Sequence, residues 1–204
     1  EFTIQEKKLW MLQTRRGKRT GIAAIKIATD MVKEKLITKE VAVSRVRPHQ
    51  IYESLLKNID PKDVKNNLPV SLGLPAGPGA SCGIAVFTAE RAEELGKKNK
   101  KVILVREETS PEDIHGMHYS EGILTSRGGL TSHAALVARG WGKSCVVGCQ
   151  DLTIDKSHTF AKIGDKKIKE GDHITLNGSS GDIYLGKMRL FQNPLNNTCL
   201  LYTY

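Results

Sequence analysis

Apolar residues recur along the chain with two different spacings, and the change of spacing divides it into segments. Between residues 20 and 60 they return at steps of three and four, as on one face of a helix. Thr38 suits the cap of a second helix, and Pro48 suits the first turn of a third. Residues 20–69 are therefore predicted to form a small helical subdomain and a linker. The Pro- and Gly-rich stretch 61–79 is predicted to mark the linker and the entry to the next unit.

Short apolar runs dominate the rest of the chain. Residues 1–19 hold two such runs around a polar turn, which predicts a hairpin-like pair of strands. From residue 70 to residue 190, runs such as 101–105 and 145–147 alternate with short helical stretches, which predicts an α/β domain with more strand than helix. Residues 191–204 show neither spacing and are predicted to form an atypical tail, whose origin the sequence does not indicate.

Charge and composition restrict the classes of function. The chain has 31 Lys and Arg against 22 Asp and Glu, a net charge of +9, which favours a polyanionic partner. Its lysines are scattered, however, and the 5% of aromatic residues are not interleaved with them, as single-strand nucleic-acid binding requires. No apolar run approaches the roughly 20 residues of a membrane span. Most of the charged side chains are therefore predicted to be solvated, with a local attraction for phosphate. Neither a nucleic acid nor a membrane is expected as a partner.

The four cysteines indicate a reducing compartment. Cys82, Cys145, Cys149 and Cys199 include no C-x-x-C pair, so buried thiols are expected rather than a zinc site. The cytoplasm is the default localisation. Organelle targeting stays open because the sequence begins without Met and without a signal peptide, as a fragment or a processed chain would.

One histidine stands between a glycine pair and a run that favours a helix, predicted to end near Gly140. The first turn of a helix has N–H groups without partners and a partial positive charge, so it attracts anions and disfavours protonated imidazole. Neutral imidazole is a nucleophile, which makes His133 the candidate catalytic residue; a surface histidine on a capped helix is the alternative. The candidate phosphate-positioning residues share this turn and helix: Gly128, Gly129, Thr131, Ser132 and Arg139.

The surrounding residues belong to a longer ordered series. Residues 125–143, T-S-R-G-G-L-T-S-H-A-A-L-V-A-R-G-W-G-K, resemble the phosphohistidine motif of the pyruvate phosphate dikinases. The similarity covers most of residues 1–190. Further segments that resemble that family are 73–76, 106–114, 145–149, 171–176 and 181–186.

The resemblance implies an α/β fold in which a swivelling β/β/α phosphohistidine domain follows a small helical subdomain and an ATP-grasp remnant. Residues 1–19 would be the last strands of the ATP-grasp nucleotide-binding domain, and residues 70–190 the phosphohistidine domain. The ATP and pyruvate sites would both be incomplete in this chain. The family's nucleotide-binding positions correspond to Glu1, Gln13 and Arg15.

The resemblance also implies a function. The family converts ATP, phosphate and pyruvate to AMP, diphosphate and phosphoenolpyruvate, and His133 would carry the phosphoryl group between two sites. The whole enzyme would use Mg²⁺, without an organic cofactor, and would be a homodimer. Thr131 is a candidate for regulatory phosphorylation, because the matching threonine is phosphorylated in plant members; a plain capping or phosphate-contacting hydroxyl is the alternative.

Three other functions remain open at this stage. Phosphoenolpyruvate synthases and the first enzyme of the sugar phosphotransferase system share this domain, although residues 139–143, R-G-W-G-K, favour a dikinase. A basic nucleic-acid-binding module is the alternative from another class. The last is a scaffold without chemistry, in which replacement of His133 would change nothing.

Overall fold

The structure, a computed structural model, describes residues 1–14 and 21–192. It divides into two compact units, with the division between residues 54 and 55. The domain boundaries predicted at residues 19, 69 and 190 stay predictions.

The first unit contains a hairpin and three helices, as predicted. Strands β1 (Phe2–Gln5) and β2 (Lys8–Met11) pair antiparallel. The helices are α1 (Gly21–Lys33), α2 (Lys39–Arg45) and α3 (Pro48–Leu55). The apolar residues at helical spacing explain the packing, because the helices bury Ile25, Ala28, Ala42 and Val46 in one cluster.

The second unit contains thirteen strands and four helices among its described residues. The first half runs through β3 (Lys57–Ile59), α4 (Pro61–Asn66), β4 (Ser71–Leu72), β5 (Leu74–Gly77), β6 (Ala80–Val86), α5 (Ala89–Lys97), β7 (Val102–Arg106), a 3-10 turn (Pro111–Asp113), α6 (Ile114–Tyr119) and β8 (Gly122–Thr125). The second half runs through α7 (His133–Gly140), β9 (Ser144–Val147), β10 (Leu152–Ile154), β11 (Phe160–Ile163), β12 (Lys166–Lys169), β13 (His173–Asn177), β14 (Asp182–Leu185) and β15 (Leu190–Gln192).

The stretch 61–79 is not an irregular linker, because it holds α4, β4 and β5, and the last two belong to the sheet of the next unit, whose entry was predicted here. Pro61 occupies the first turn of α4, and the Asp60 carboxylate accepts a hydrogen bond from the Lys62 N–H at 2.8 Å. Proline and a capping carboxylate start a helix as readily as they interrupt a chain. The predicted tail is also wrong at its start, since Phe191 and Gln192 lie in β15, which pairs with β3.

Eight strands form the central sheet of the second unit. Their order is β4-β14-β13-β6-β7-β8-β9-β5, with the middle four parallel and the outer pairs antiparallel. The parallel strands are connected through α5, α6 and α7, as parallel pairing requires a crossover. The smaller sheet β10-β11-β12 forms a second layer.

Two apolar cores hold the layers together. Ala92, Met117 and Ala135 of the three helices are buried against one face of the large sheet. Leu152, Ile163 and Ile168 of the small sheet are buried in a cluster with residues of the large sheet, such as Ile103 and Leu124. The predicted β/β/α order of layers is therefore confirmed, and the helical layer presents the N-terminus of α7 at the edge where β7 and β8 end.

Candidate functional site

Parallel strands β7 and β8 end at the same edge of the sheet, so the loops that follow them run side by side. The Ser126 N–H donates to the Arg106 carbonyl at 3.2 Å, and the Arg127 N–H donates to the Glu107 carbonyl at 2.8 Å. These contacts bring residues 107–110 next to the turn that precedes α7. The carboxyl edge of parallel strands is where α/β sheets place their binding sites.

The glycine pair makes this turn possible. Gly128 has a φ of +97°, and a Cβ atom there would lie 2.9 Å from the Cβ of Ser132. Any other residue would be strained and crowded at this position. The Ser132 N–H then donates to the Gly129 carbonyl at 3.0 Å, which closes a tight turn directly before the helix.

Ser132, rather than Thr131, caps α7. Its backbone is extended, at φ −65° and ψ 161°, and its Oγ accepts a hydrogen bond from the Ala135 N–H at 3.4 Å. His133 is thus the first residue of the helix, where backbone N–H groups have no helical partner. Thr131 is exposed at the corner of the turn.

Thr109 holds the imidazole. Its Oγ1 lies 3.1 Å from Nδ1 of His133, and Thr109 is only 9% exposed. Nε2 of His133 has no hydrogen-bond partner among the described residues, and the side chain is half-buried. One ring nitrogen therefore contacts a hydroxyl, and the other has no described partner.

Arg139 contacts the backbone of the turn and helix. Its Nε donates to the Ala135 carbonyl at 3.2 Å, and a terminal nitrogen donates to the Leu130 carbonyl. These bonds tie the last turn of α7 to the turn at Leu130. Gly128, Gly129, Thr131 and Ser132 lie in the turn that precedes α7, close to these contacts of Arg139. The phosphate-positioning role of all five residues stays a prediction.

The sequence did not assign a role to Thr109 or to Arg106. The Arg106 guanidinium donates to the Phe87 carbonyl at 3.2 Å and lies 3.4 Å from the Asp113 carboxylate, and its buried Nε has no partner among the described residues. Both lie in segment 106–114, which resembles the family, but Thr109 is 24 residues away from His133. No spacing along the chain indicates a contact at that separation.

The predicted nucleotide-binding residues lie in the first unit. Leu12 and Gln13 donate from their N–H groups to the Glu1 carbonyl at 3.0 and 3.3 Å, so Glu1 and Gln13 face each other at the open end of the hairpin. Arg15 lies outside the described residues. The nucleotide role of all three stays a prediction.

The described residues contain no group of three or more His, Cys, Asp or Glu side chains that could hold a metal ion. Cys82, Cys145 and Cys149 are buried and unpaired, as expected, and Cys199 lies outside the described part. Burial raises the pKa of the Cys145 thiol to about 12. No helix in residues 1–14 or 21–192 is long and apolar enough to cross a bilayer.

Comparison with known proteins points to the same family. Residues 98–181 match the model of the PEP-utilising enzyme mobile domain. The chain is 53% identical over 191 residues to pyruvate, phosphate dikinase 1, chloroplastic, of Arabidopsis thaliana, which is 93% of this chain and 20% of that protein. It is 55% identical over 192 residues to the pyruvate, phosphate dikinase of Rickettsia felis, 94% of this chain and 22% of that one.

A solved structure matches less closely. The solution structure of an Enzyme I protein has 24% sequence identity to this chain and a TM-score of 0.31, over 49% of this chain and 34% of that one. The chain spans about a fifth of the length of the curated dikinases it matches. The resemblance inferred from residues 125–143 is confirmed: residues 98–181 match the mobile domain of PEP-utilising enzymes, and more than nine tenths of the chain is similar to pyruvate, phosphate dikinases.

Proposed function

We propose that this chain is the phosphoryl-carrying part of a pyruvate phosphate dikinase, with His133 as the carrier. The contact between Thr109 and Nδ1 of His133 is the observation that carries the proposal. The Thr109 hydroxyl can donate to Nδ1 or accept from Nδ1–H, and we assign the accepting arrangement, in which Nε2 has the lone pair. Nε2 is then the nucleophile, and a partner can reach it on the half-buried side chain.

The chemical step forms one bond and breaks one. Nε2 of His133 attacks the phosphorus of a phosphoryl donor, an N–P bond forms, and the P–O bond to the leaving group breaks with its electron pair on oxygen. The proton stays on Nδ1, hydrogen-bonded to Thr109. The reverse step passes the phosphoryl group to an acceptor oxygen. In the whole enzyme, donors and acceptors would be ATP, phosphate, pyruvate and phosphoenolpyruvate.

The start of α7 supplies the electrostatic support. The N–H groups of its first turn and the positive end of the helix favour the negative charge that arrives with the phosphoryl group, by about 0.3–1 kcal/mol near a surface. The Ser132 oxygen accepts from Ala135, which leaves its O–H available as a donor to a phosphate oxygen. Such fixed donors position a phosphoryl group more than they react with it.

The Mg²⁺ implied by the resemblance does not fit the described residues, which lack a carboxylate cluster for it. Its role would therefore belong to other parts of the whole enzyme. The homodimer implied by the resemblance stays a prediction. Two of the most similar relatives are called chloroplastic, so the compartment is proposed as cytoplasm or plastid.

Thr131 is proposed as a regulatory site on the same turn. Its side chain is exposed, two positions before the carrier, so a modifying enzyme has access to its hydroxyl. A phosphate on Thr131 would place about two negative charges beside the phosphoryl group on His133. Repulsion between them would stop the carrier from being loaded. A Thr131→Glu variant that is phosphorylated on His133 at the wild-type rate would contradict this role.

Transfer in trans tests the carrier proposal. The chain is mixed with labelled phosphoenolpyruvate, Mg²⁺ and a dikinase whose own carrier histidine is replaced. We expect acid-labile, alkali-stable label on the wild-type chain and none on His133→Ala. His118→Ala is the matched control, because His118 is an exposed histidine of α6, and it should label like wild type.

The outcome also separates the alternatives. Label that persists in His133→Ala would overturn the carrier assignment. The dikinase in the assay is also replaced by a phosphoenolpyruvate synthase or by a phosphotransferase-system enzyme. Label that appears only with one of these enzymes would assign the chain to that alternative. Steeply salt-dependent retention of nucleic acid, without phosphorylation, would favour the basic binding module.

A further inference from the structure

A groove of about 680 Å³ lies at the opposite edge of the central sheet from His133. Lys101 and Glu121, which line it, directly precede β7 and β8, whereas Thr109 and His133 follow the ends of those strands. Its remaining walls come from β3, β6 and β13 and from residues 187–192, which include β15. The groove is therefore separate from the carrier site and lies within the second unit.

The groove has an excess of positive charge. Two of its cations already have acidic partners: Lys57 lies 3.5 Å from Glu121, and Arg189 lies 2.7 Å from Asp63. Three further basic side chains line it, and within the described part of the chain none of them has an ion-pair partner. These are Lys101, His173 and Lys187.

The same groove has apolar walls. Met188 is 5% exposed, and Leu190 and Phe191 are half-buried beside it. Its volume lies in the range of pockets that hold small organic molecules, and such pockets combine apolar walls with a few polar groups that fix orientation. Inorganic phosphate alone would leave the apolar wall uncovered, and a neutral ring would leave the lysines unused.

We propose that this groove binds a small organic anion with a phosphate or carboxylate group on an aromatic or apolar body. The acidic group would lie between Lys101 and Lys187, and the body would cover Met188 and Phe191. The ammonium groups are exposed, so each contributes modestly and binding depends on several of them together. Since Leu190–Gln192 of β15 form part of the wall, the occupant would also contact the β3–β15 pair.

The probe is phenyl phosphate, and its binding is measured by ¹H–¹⁵N NMR of the full chain. We expect saturable shifts of the Gly83, Lys101 and His173 amides, which line the groove. Lys101→Glu with Lys187→Glu should weaken binding about tenfold or more, because two attractions become repulsions. The control, Lys162→Glu with Lys167→Glu, makes the same change in net charge on the small sheet and should leave the affinity unchanged.

Each result decides the proposal. Shifts confined to residues 128–135 would overturn it, because the anion would then be at the carrier site. Equal loss of affinity in both double variants would overturn it as well, since only the net charge would matter. If phenol shifts the amide signals of the groove as strongly as phenyl phosphate does, the acidic group does not contribute to binding, and the proposal is overturned. If the glutamate variant does not fold, Lys101→Gln with Lys187→Gln replaces it, with a smaller expected loss.

Discussion

Replacement of Thr109 by valine tests whether the hydroxyl beside His133 matters. Valine has nearly the same shape as threonine, so the buried site stays filled while the oxygen 3.1 Å from Nδ1 is lost. The imidazole then loses the hydrogen bond at Nδ1 and the contact that orients its ring. The neighbouring turn and the cap at Ser132 are left intact, so the expected defect lies in phosphoryl transfer rather than in folding.

The size of the effect follows from the burial of the pair. A typical hydrogen bond contributes about 0.5–1.5 kcal/mol net, and a buried group left without a partner costs about 1–3 kcal/mol. Thr109 is 9% exposed but His133 is half-buried, so water can partly replace the lost partner. A loss of about 1–2 kcal/mol is therefore expected, which slows the labelling of His133 by about 5–30-fold.

The assay is the rate of labelling in trans, with Thr109→Ser as the matched control. Serine keeps the hydroxyl and should retain a rate within a few-fold of the wild type. The ¹⁵N shifts of the imidazole give a second readout, because they report the tautomer directly. In wild type the proton should be on Nδ1, and in Thr109→Val the two tautomers should mix.

Two results would refute this reasoning. Labelling of Thr109→Val at the wild-type rate, with an unchanged tautomer, would mean that the hydroxyl has no part in the step. Equally slow labelling of Thr109→Ser and Thr109→Val would mean that side-chain shape matters and the hydrogen bond does not. Thermal unfolding of each variant shows whether a slow labelling rate is caused by loss of structure.

Three further predictions concern stability. Ser132→Ala removes the cap of α7 and should lower the free energy of unfolding by about 1 kcal/mol, measured in urea, while Ser132→Thr should restore most of it. Gly178→Ala should lower it by about 1–3 kcal/mol, because a Cβ would lie 1.9 Å from the Gly77 carbonyl oxygen; Gly140→Ala, with no described atom within 4 Å of the added Cβ, should not. Burial raises the pKa of Cys145 from 9.0 to about 12, so the folded state keeps a proton that the unfolded state loses, and stability should fall from pH 9 to pH 12. That fall should be smaller in Cys145→Val, and an equal fall in both proteins would contradict the assignment.

Local signals gave the secondary structure of this protein well. Thr38 and Pro48 start α2 and α3 as predicted, and the alternation of runs from residue 70 gave the strands of the large sheet. Each of these signals acts within a few residues, so the sequence alone contains it. The linker predicted within 61–79 is instead α4 and two short strands, because proline and glycine mark the starts of helices and strands as well as linkers.

Long-range contacts explain what the sequence could not give. His133 was identified from its neighbours and the family resemblance, but its partner Thr109 comes from a different loop. Only the parallel pairing of β7 with β8 brings those loops together. The backbone role of Arg139 escaped prediction for another reason, since a guanidinium near a candidate anion site is equally compatible with phosphate and with carbonyl oxygens.

The pairing of β3 with β15 has a consequence for how this body is connected. Ile59 lies opposite Leu190, so the strand that enters the second unit and the strand that leaves it run side by side. The two ends of the described part of this unit are therefore close together in space. A unit whose ends are adjacent tolerates circular permutation through a short joining peptide.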